Sequence, residues 1–326
     1  MDNILVTGGA GYIGSHIIEQ LVKTKARIVI IDNLETGYKK LINKKAIFIK
    51  GDIKNLKYLS KIIYKYRINS IIHLAAYLNI SEAEKNKKKY YKNNVIGTLN
   101  LIKCCKSTNI RDFVFSSSCS IYGNVIGSVS EKRKANPKGY YAYTKHESEK
   151  IIIKYAKQYN YNYAILRYFN IAGASPTNKI GEINISHGHL FKNIAIQSLK
   201  KKPIMNIFGN DYKTKDGTCV RDYMHVSDLS IAHIKALKFL REKSKSIILN
   251  CGYGKGYSVL EILKIFKKIK KNCKINFVQR RKGDIAAVYS NTKKFEKNIK
   301  MRMKFKSINK ILQSAIKWEK ILKNKK

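Results

Sequence analysis

The stretch VTGGAGYIGSH sets Gly8, Gly11 and Gly14 between an apolar run and an amphipathic one. Glycines at that spacing allow a tight turn and close backbone approach. The helix that opens there offers free N–H groups and the positive end of its dipole to a pyrophosphate. Asp32 follows at the end of the next apolar run, 18 residues after Gly14, where a carboxylate can accept both hydroxyls of a ribose. An acid at that place repels a 2′-phosphate and no arginine accompanies it, so the pattern favours NAD over NADP. In YYAYTK, Tyr141 and Lys145 are four apart and share a face of any helix that carries them. A tyrosine hydroxyl titrates near ~10, so a base at neutrality needs a shift of ~3 units, or ~4 kcal/mol, which an adjacent ammonium and an oxidised nicotinamide ring could supply. Tyr140 and Tyr143 compete for that role, but within this segment only Tyr141 has a lysine at the fourth position after it. A third cluster is FSSSCSIYG, where Ser116, Ser117 and Ser118 end an apolar run and the next two positions, Cys119 and Ser120, carry no charge.

These groups need a scaffold. Runs rich in Ile, Val and Phe recur at NILVTGG, RIVIIDN, AIFIKGD, SIIHLAA, DFVFSSS, YAILRYFN and SIILNCG. Amphipathic stretches of helical length lie between most of them, at 14–25, 92–109 and 142–158. Alternation of buried strands with helices predicts an α/β fold built on a Rossmann-like, doubly wound parallel sheet. Beyond residue 171 the pattern loosens into GASPTNKIGEINISHGH and FGNDYKTKDGT, so a smaller mixed α/β substrate-binding lobe is expected. The expected division gives residues 1–171 to the dinucleotide, with a return to the sheet at 222–255. Residues 172–221 and 256–326 then form the lobe. No internal repeat is present.

At 326 residues and 44% hydrophobic, the chain can bury a sizeable core. No run of 18 apolar residues suggests a membrane span, and the start shows no signal-peptide pattern, so a cytoplasmic protein is expected. The six cysteines lack CxxC or Cys/His ligand spacing and read as reduced, mostly buried thiols. None of the seven histidines falls in an HExxH array, and His187 and His189 sit in a glycine-containing loop, so no metal is expected. The formal charge of +45 comes from lysine scattered through every part of the chain, as in EKNKKK, FKKIKKNCK and LKNKK, with only ten arginines. A nucleic-acid binder usually concentrates its basic residues on one face. General drift toward residues with A/T-rich codons is therefore preferred over nucleic-acid binding, although the field still speeds encounter with anionic ligands.

With the glycine turn, the serine cluster and YxxxK in this order, the chain resembles the extended short-chain dehydrogenase/reductase superfamily. LRYFNIAGA, FGNDYKTKDGTCVRDYMHVSDL, NCGYGKGYSVLEIL and RRKGDIAA narrow the resemblance to the UDP-glucose 4-epimerase family, from about residue 3 to 320. That resemblance implies interconversion of UDP-galactose and UDP-glucose through a 4-keto intermediate with tightly bound NAD. Tyr141 would take the O4 proton beside Ser118 and Lys145 while hydride leaves C4, and the keto sugar would rotate about its pyrophosphate tether before hydride returns to the other face. Related dehydratases carry Asp-Glu after the corresponding hydroxyl, and decarboxylases a Glu at the second place. Cys119 and Ser120 leave the ketone no such side route.

The resemblance further implies cofactor contacts at Gly8, Gly11, Tyr12, Ile13, Gly14, Asp32, Asn33, Asp52, Ile53, Leu74, Asn93, Lys145 and Phe169. Arg221, Arg281 and Asn170 would meet the diphosphate and Asp284 the uridine ribose, while His189, Leu190, Asn206, Ile207 and Phe208 would bound the uridine. Four of the ten arginines, Arg167, Arg221, Arg280 and Arg281, lie in these motifs. Several positions depart from the family pattern. Leu78 stands where some members have a cofactor-contacting lysine, and Tyr140-Tyr141-Ala142 replaces Pro-Tyr-Gly. Val288 occupies a place where a large side chain restricts the pocket to glucose and galactose and a small one can admit N-acetylated sugars. The alternatives are a UDP-N-acetylglucosamine or UDP-uronic acid 4-epimerase and, in another class, a non-catalytic basic nucleotide- or nucleic-acid-binding protein. A homodimer is implied by the family.

Overall fold

The computed structural model describes residues 2–184, 188–281 and 283–324; His187 lies outside the described residues. The first half runs β1 (Asn3–Thr7), α1 (Tyr12–Leu21), β2 (Arg27–Asp32), β3 (Ile47–Lys50), α2 (Leu56–Lys65) and β4 (Ser70–His73). It continues through α3 (Ile80–Lys85), α4 (Lys87–Tyr90), α5 (Gly97–Lys106), β5 (Asp112–Ser118), β6 (Gly127–Val129) and α6 (Tyr140–Ala156). There follow β7 (Asn162–Tyr168), β8 (Asn170–Ala172), α7 (Leu190–Ser198), β9 (Ile204–Phe208), β10 (Val220–His225), α8 (Val226–Lys243) and β11 (Ile247–Cys251). The last part is β12 (Gly256–Ser258), α9 (Val259–Ile269), β13 (Lys274–Val278), β14 (Ala287–Ser290), α10 (Lys293–Asn298) and α11 (Ile308–Asn324).

The seven apolar runs of the sequence become the seven strands of one sheet, ordered β11-β7-β5-β4-β1-β2-β3 with every pair parallel. Strands covered by helices on both sides are apolar on both faces, which is why these runs show no polar alternation. Successive residues of β1 divide between two cores: Ile4 and Val6 join Ile17, Ile18 and the α8 leucines, while Leu5 joins Leu59, Ile63, Leu101 and Ile152. The chain order reverses between β1 and β4. That is the switch point outside which an open α/β sheet places its ligand.

The helix expected over 92–109 is divided. Tyr91–Ile96 forms a wide π-type turn and α5 proper begins at Gly97. Asn94 in the wide turn bonds Tyr77 and Thr144, and a Cβ on Gly97 would sit 2.4 Å from the Ile53 side chain, so α5 and the loop after β3 meet only because that position is bare. After β8 the chain builds smaller sheets, β12-β10-β14-β6 with β8 on β10, and the pair β13-β9. β10 crosses between regions: its first residues pair with β12 and β14, its last with β8, and α8 then leads back to β11 in the main sheet. The cysteines are free, five buried and Cys119 half-buried, as expected for reduced thiols. Among the described residues no helix is long and apolar enough to cross a membrane.

Candidate functional site

The glycine turn sits at the end of β1. Gly8 has φ +73°, and a Cβ there would lie 2.7 Å from the Ala75 amide nitrogen in the loop after β4. A Cβ on Gly14 would lie 2.2 Å from the Gly8 carbonyl oxygen. Gly11 caps α1 without any side-chain bond, and no acid stands in the first turn, so the helix N-terminus keeps its donors for an anion. Asp32 ends β2 and accepts bonds from the amides of Ala10 (3.0 Å) and Leu34 (2.9 Å). Burial raises its pKa and those two donors pull it back. Asn33 reaches Asp52 at 3.4 Å, beside buried Ile53. Tyr12 donates its hydroxyl to the Gly173 carbonyl (2.6 Å), and Ile13 and Leu74 pack half-buried on the core. Asn93 lies in the wide turn and Phe169 is buried among Ile121, Tyr122 and Val288. A bare-glycine cradle, an uncapped helix start and a carboxylate at the next strand end fit NAD.

The second group stands at the ends of β5 and α6. Tyr141 and Lys145 share one face of α6, as their spacing requires. Ser118, the last residue of β5, stands beside the Tyr141 hydroxyl and opposes the rise of its pKa, and its own oxygen accepts from the Ser120 hydroxyl at 2.9 Å and amide at 3.2 Å. Lys145 is buried, donates Nζ to the Ser116 carbonyl at 2.7 Å and lies 5.0 Å from the centre of the Phe115 ring. Burial drags its pKa down to about 7, with Glu149, one turn further on, holding it up.

The expectation that a neighbouring ammonium lowers Tyr141 is corrected here. Burial raises the tyrosine, Ser118 offsets part of that rise, and Lys145 directs its Nζ to a backbone carbonyl. Beneath the group runs a buried network that the sequence reading missed. Glu149 accepts from Ser117 (2.5 Å) and takes both Nε (3.0 Å) and Nη2 (2.7 Å) of Arg167. Arg167 then donates to the Tyr122 hydroxyl (2.9 Å), which donates to Asn250 (2.7 Å). The available signal was Glu149 itself, at the fourth position after Lys145 and so on the same helix face.

The third group is gathered by β10 and β14, which pair Arg221 with Val288. Arg221 donates Nη1 to the Ile285 carbonyl at 2.6 Å and lies 3.9 Å from Asp284, while Arg281 lies 4.0 Å from the other oxygen of Asp284. The Arg281 guanidinium stands 4.0 Å over the Phe208 ring. Val288 is buried with Phe169 and against half-buried Cys119, whose thiol burial pushes up to about 12, with Arg221 opposing. Cys119 is adjacent to Ser118 in the chain, so the cluster that holds Val288 borders the end of β5 as well as the Arg221 strand.

Ile207 is buried in β9, whereas Asn206 bonds Asn276 on an exposed strand pair and not the arginine group. Asn170 is exposed at the start of β8, opposite Tyr223. His189 and Leu190 begin α7, where His189 meets Glu182 at 2.5 Å; burial opposes its charge, but Glu182 raises its pKa above the ordinary value. Leu78 is exposed. Among the described residues no group of three His, Cys, Asp or Glu side chains could hold a metal ion.

Residues 4–252 match the model of the NAD dependent epimerase/dehydratase family. The chain belongs to that family. This member is 39% identical over 319 residues to a UDP-glucose 4-epimerase of Lactobacillus helveticus, covering 97% of each chain. It matches the crystal structure of UDP-glucose-4-epimerase from Stenotrophomonas maltophila, described with bound NAD and formylated UDP-arabinopyranose, with TM-score 0.95 and 31% identity over 100% of both chains. It also matches a UDP-Glc/GlcNAc 4-epimerase from Campylobacter jejuni, with TM-score 0.85 and 35% identity over 98% of this chain and 100% of that one. The protein is an NAD-dependent enzyme and not the non-catalytic binding protein that its charge alone would allow.

Proposed function

We propose that the protein interconverts UDP-galactose and UDP-glucose, inverting C4 of the hexose through a 4-keto intermediate. The observation that carries this reading is the Ser118 hydroxyl standing beside Tyr141 at the end of the main sheet, followed in the chain by uncharged Cys119 and Ser120. Tyr141 takes the O4 proton and gives it back, with Ser118 holding O4 against it. NAD held by the glycine turn, Asp32 and Lys145 would supply the hydride acceptor and a positive ring to offset the raised Tyr141 pKa. Lys145, fixed on the Ser116 carbonyl, orients the cofactor. Arg221, Arg281 and Asn170 hold the diphosphate and Asp284 the ribose. His189, Leu190, Asn206, Ile207 and Phe208 bound the uridine, so the nucleotide stays fixed while the sugar turns.

In this reading residues 1–171 and 222–255 carry NAD, and residues 172–221 and 256–326 carry the UDP-sugar. A homodimer acting in the cytoplasm completes it. Tyr141→Phe tests the assignment: epimerisation falls by a factor on the order of 10³ or more while bound NAD is retained, as expected for loss of general acid–base catalysis. Turnover near the wild-type rate would remove Tyr141 from the mechanism.

A second activity, on UDP-N-acetylhexosamines, is favoured by one feature. Val288 is a small side chain packed beside Cys119 and Phe169, where a tyrosine would fill the space next to the sugar. Val288→Tyr then abolishes turnover of UDP-N-acetylglucosamine and spares that of UDP-glucose. Equal rates for both proteins on the N-acetylated substrate would refute the activity.

A further inference from the structure

β2 and β4 lie on either side of β1, so the loops leaving their C-terminal ends flank the glycine turn. Two strand spacings separate those loops by about 10 Å, a gap that backbone does not close but two side chains reaching from opposite sides can. Tyr77, in the loop after β4, donates its hydroxyl to the Glu35 carboxylate, in the loop after β2. Both loops are tied to the turn. Ala75 lies where a Cβ on Gly8 would collide, and the Tyr38 amide donates to the Ala10 carbonyl at 3.0 Å. The bond from Tyr77 to Glu35 therefore spans from one flanking loop to the other across the end of β1, where the glycine turn lies. Lys89, from α4, completes the bridge: its Nζ is 3.0 Å from Glu35, 2.9 Å from Glu82 and 4.4 Å from the centre of the Tyr77 ring.

The two ends of the bridge differ in firmness. Tyr77 is 6% exposed and packs with Ala83 and Tyr90 against Tyr141. Its amide donates to Asn94 (2.9 Å) and its carbonyl accepts from Asn94 (3.2 Å), which also bonds Thr144, next to Lys145 in α6. Glu35 and Lys89 keep 42% and 41% of their side chains in solvent, where an ion pair is screened and weak. One end is thus anchored in the core beneath the catalytic helix and the other can be released by water.

We propose that Tyr77, Glu35 and Lys89 form a latch over the dinucleotide trench, which sets the rate at which NAD enters and leaves and so keeps it bound through many turnovers. The latch rests on NAD lying along the glycine turn, as in the reading above.

The test is exchange of resident NAD in the holoenzyme for its fluorescent ethenoadenine analogue, together with association rate and affinity measured on stripped protein. Tyr77→Phe, which keeps the ring, and Glu35→Gln each speed exchange by roughly tenfold, the loss of one charge-assisted hydrogen bond. Association speeds by the same factor, and affinity stays within about twofold because a gate opens in both directions. The surface variant Lys89→Gln shows the same trend without touching the core. An unchanged exchange rate overturns the latch, as does an affinity that weakens in step with exchange, the behaviour of ordinary cofactor contacts. Wild-type protein that binds no NAD in the titration would overturn the placement of the cofactor itself, and is distinguished from the other outcomes by that titration.

Discussion

Lys145 is buried within the core under the catalytic face, and the cost of keeping it there can be calculated. Its pKa falls from 10.5 to about 7, with burial the largest cause and Glu149 acting against it. A shift of this size corresponds to about 5 kcal/mol of destabilisation when the lysine is protonated in both states. The unfolded chain binds the proton more tightly than the folded one, so unfolding takes up a proton between pH 7 and 10.5 and stability contributed at this site rises with pH through that window. Replacing the lysine by Met, of similar length, removes the penalty and forfeits the bond to Ser116, worth about 1 kcal/mol. For NAD-stripped protein at pH 6, Lys145→Met should therefore be roughly 3–4 kcal/mol more stable, a rise in Tm of about 5 °C for a chain of this length. At pH 10 the residual penalty is below about 1 kcal/mol and the advantage disappears. Paired thermal melts at the two pH values decide the matter, because the general effect of +45 formal charges cancels between the two proteins. A variant less stable at both values, or a difference that does not change with pH, would refute the reasoning.

Glu149→Gln leaves Arg167 buried with half its partner gone, which costs about 3–5 kcal/mol and lowers Tm by several degrees; an unchanged melt would show the pair to be unimportant. Gly14→Ala drives a methyl into the Gly8 carbonyl, so the purified variant should carry far less NAD than wild type, measured by release on denaturation. Asp222 accepts from the amides of Tyr253 (2.9 Å), Gly254 (3.0 Å) and Ser290 (3.1 Å), and so holds the β10–β14 seam that positions Arg221 and Val288. Asp222→Asn should raise KM for the UDP-sugar more than it lowers kcat, and equal effects on both would argue against a positioning role.

The seven strands of the main sheet are legible in the chain because each is a run of β-branched and aromatic residues bounded by turns, and because both faces are buried no alternation obscures them. The glycine turn, Asp32 and the Tyr141–Lys145 pair are legible for a different reason: their chemistry depends on local spacing, which sequence displays directly. Strands β6, β8, β12 and β14 are three or four residues long and exist only through partners far along the chain, as Val288 does on Arg221 and Gly127. No local pattern announces them, and the residues they gather were reached through family resemblance. Tyr77 and Glu35 are 42 residues apart and meet only because the sheet sets β2 and β4 on either side of β1. The share of the Tyr141 shift expected from the ammonium is missing because sequence spacing specifies that Lys145 shares its face, not that the ammonium points to the hydroxyl. The Ser116 carbonyl takes it instead.

The central claim is that hydride leaves and returns within one active site, so the most direct measurement supplies UDP-galactose to the purified protein with no NAD added. The nucleotide sugars are resolved over time and the bound dinucleotide is quantified before and after. The account predicts UDP-glucose at many turnovers per protein with bound NAD unchanged in amount, and in Tyr141→Phe no UDP-glucose while bound NAD is retained. Protein that holds NAD yet leaves UDP-galactose untouched, or that turns over only when NAD is supplied in proportion to product, would contradict it.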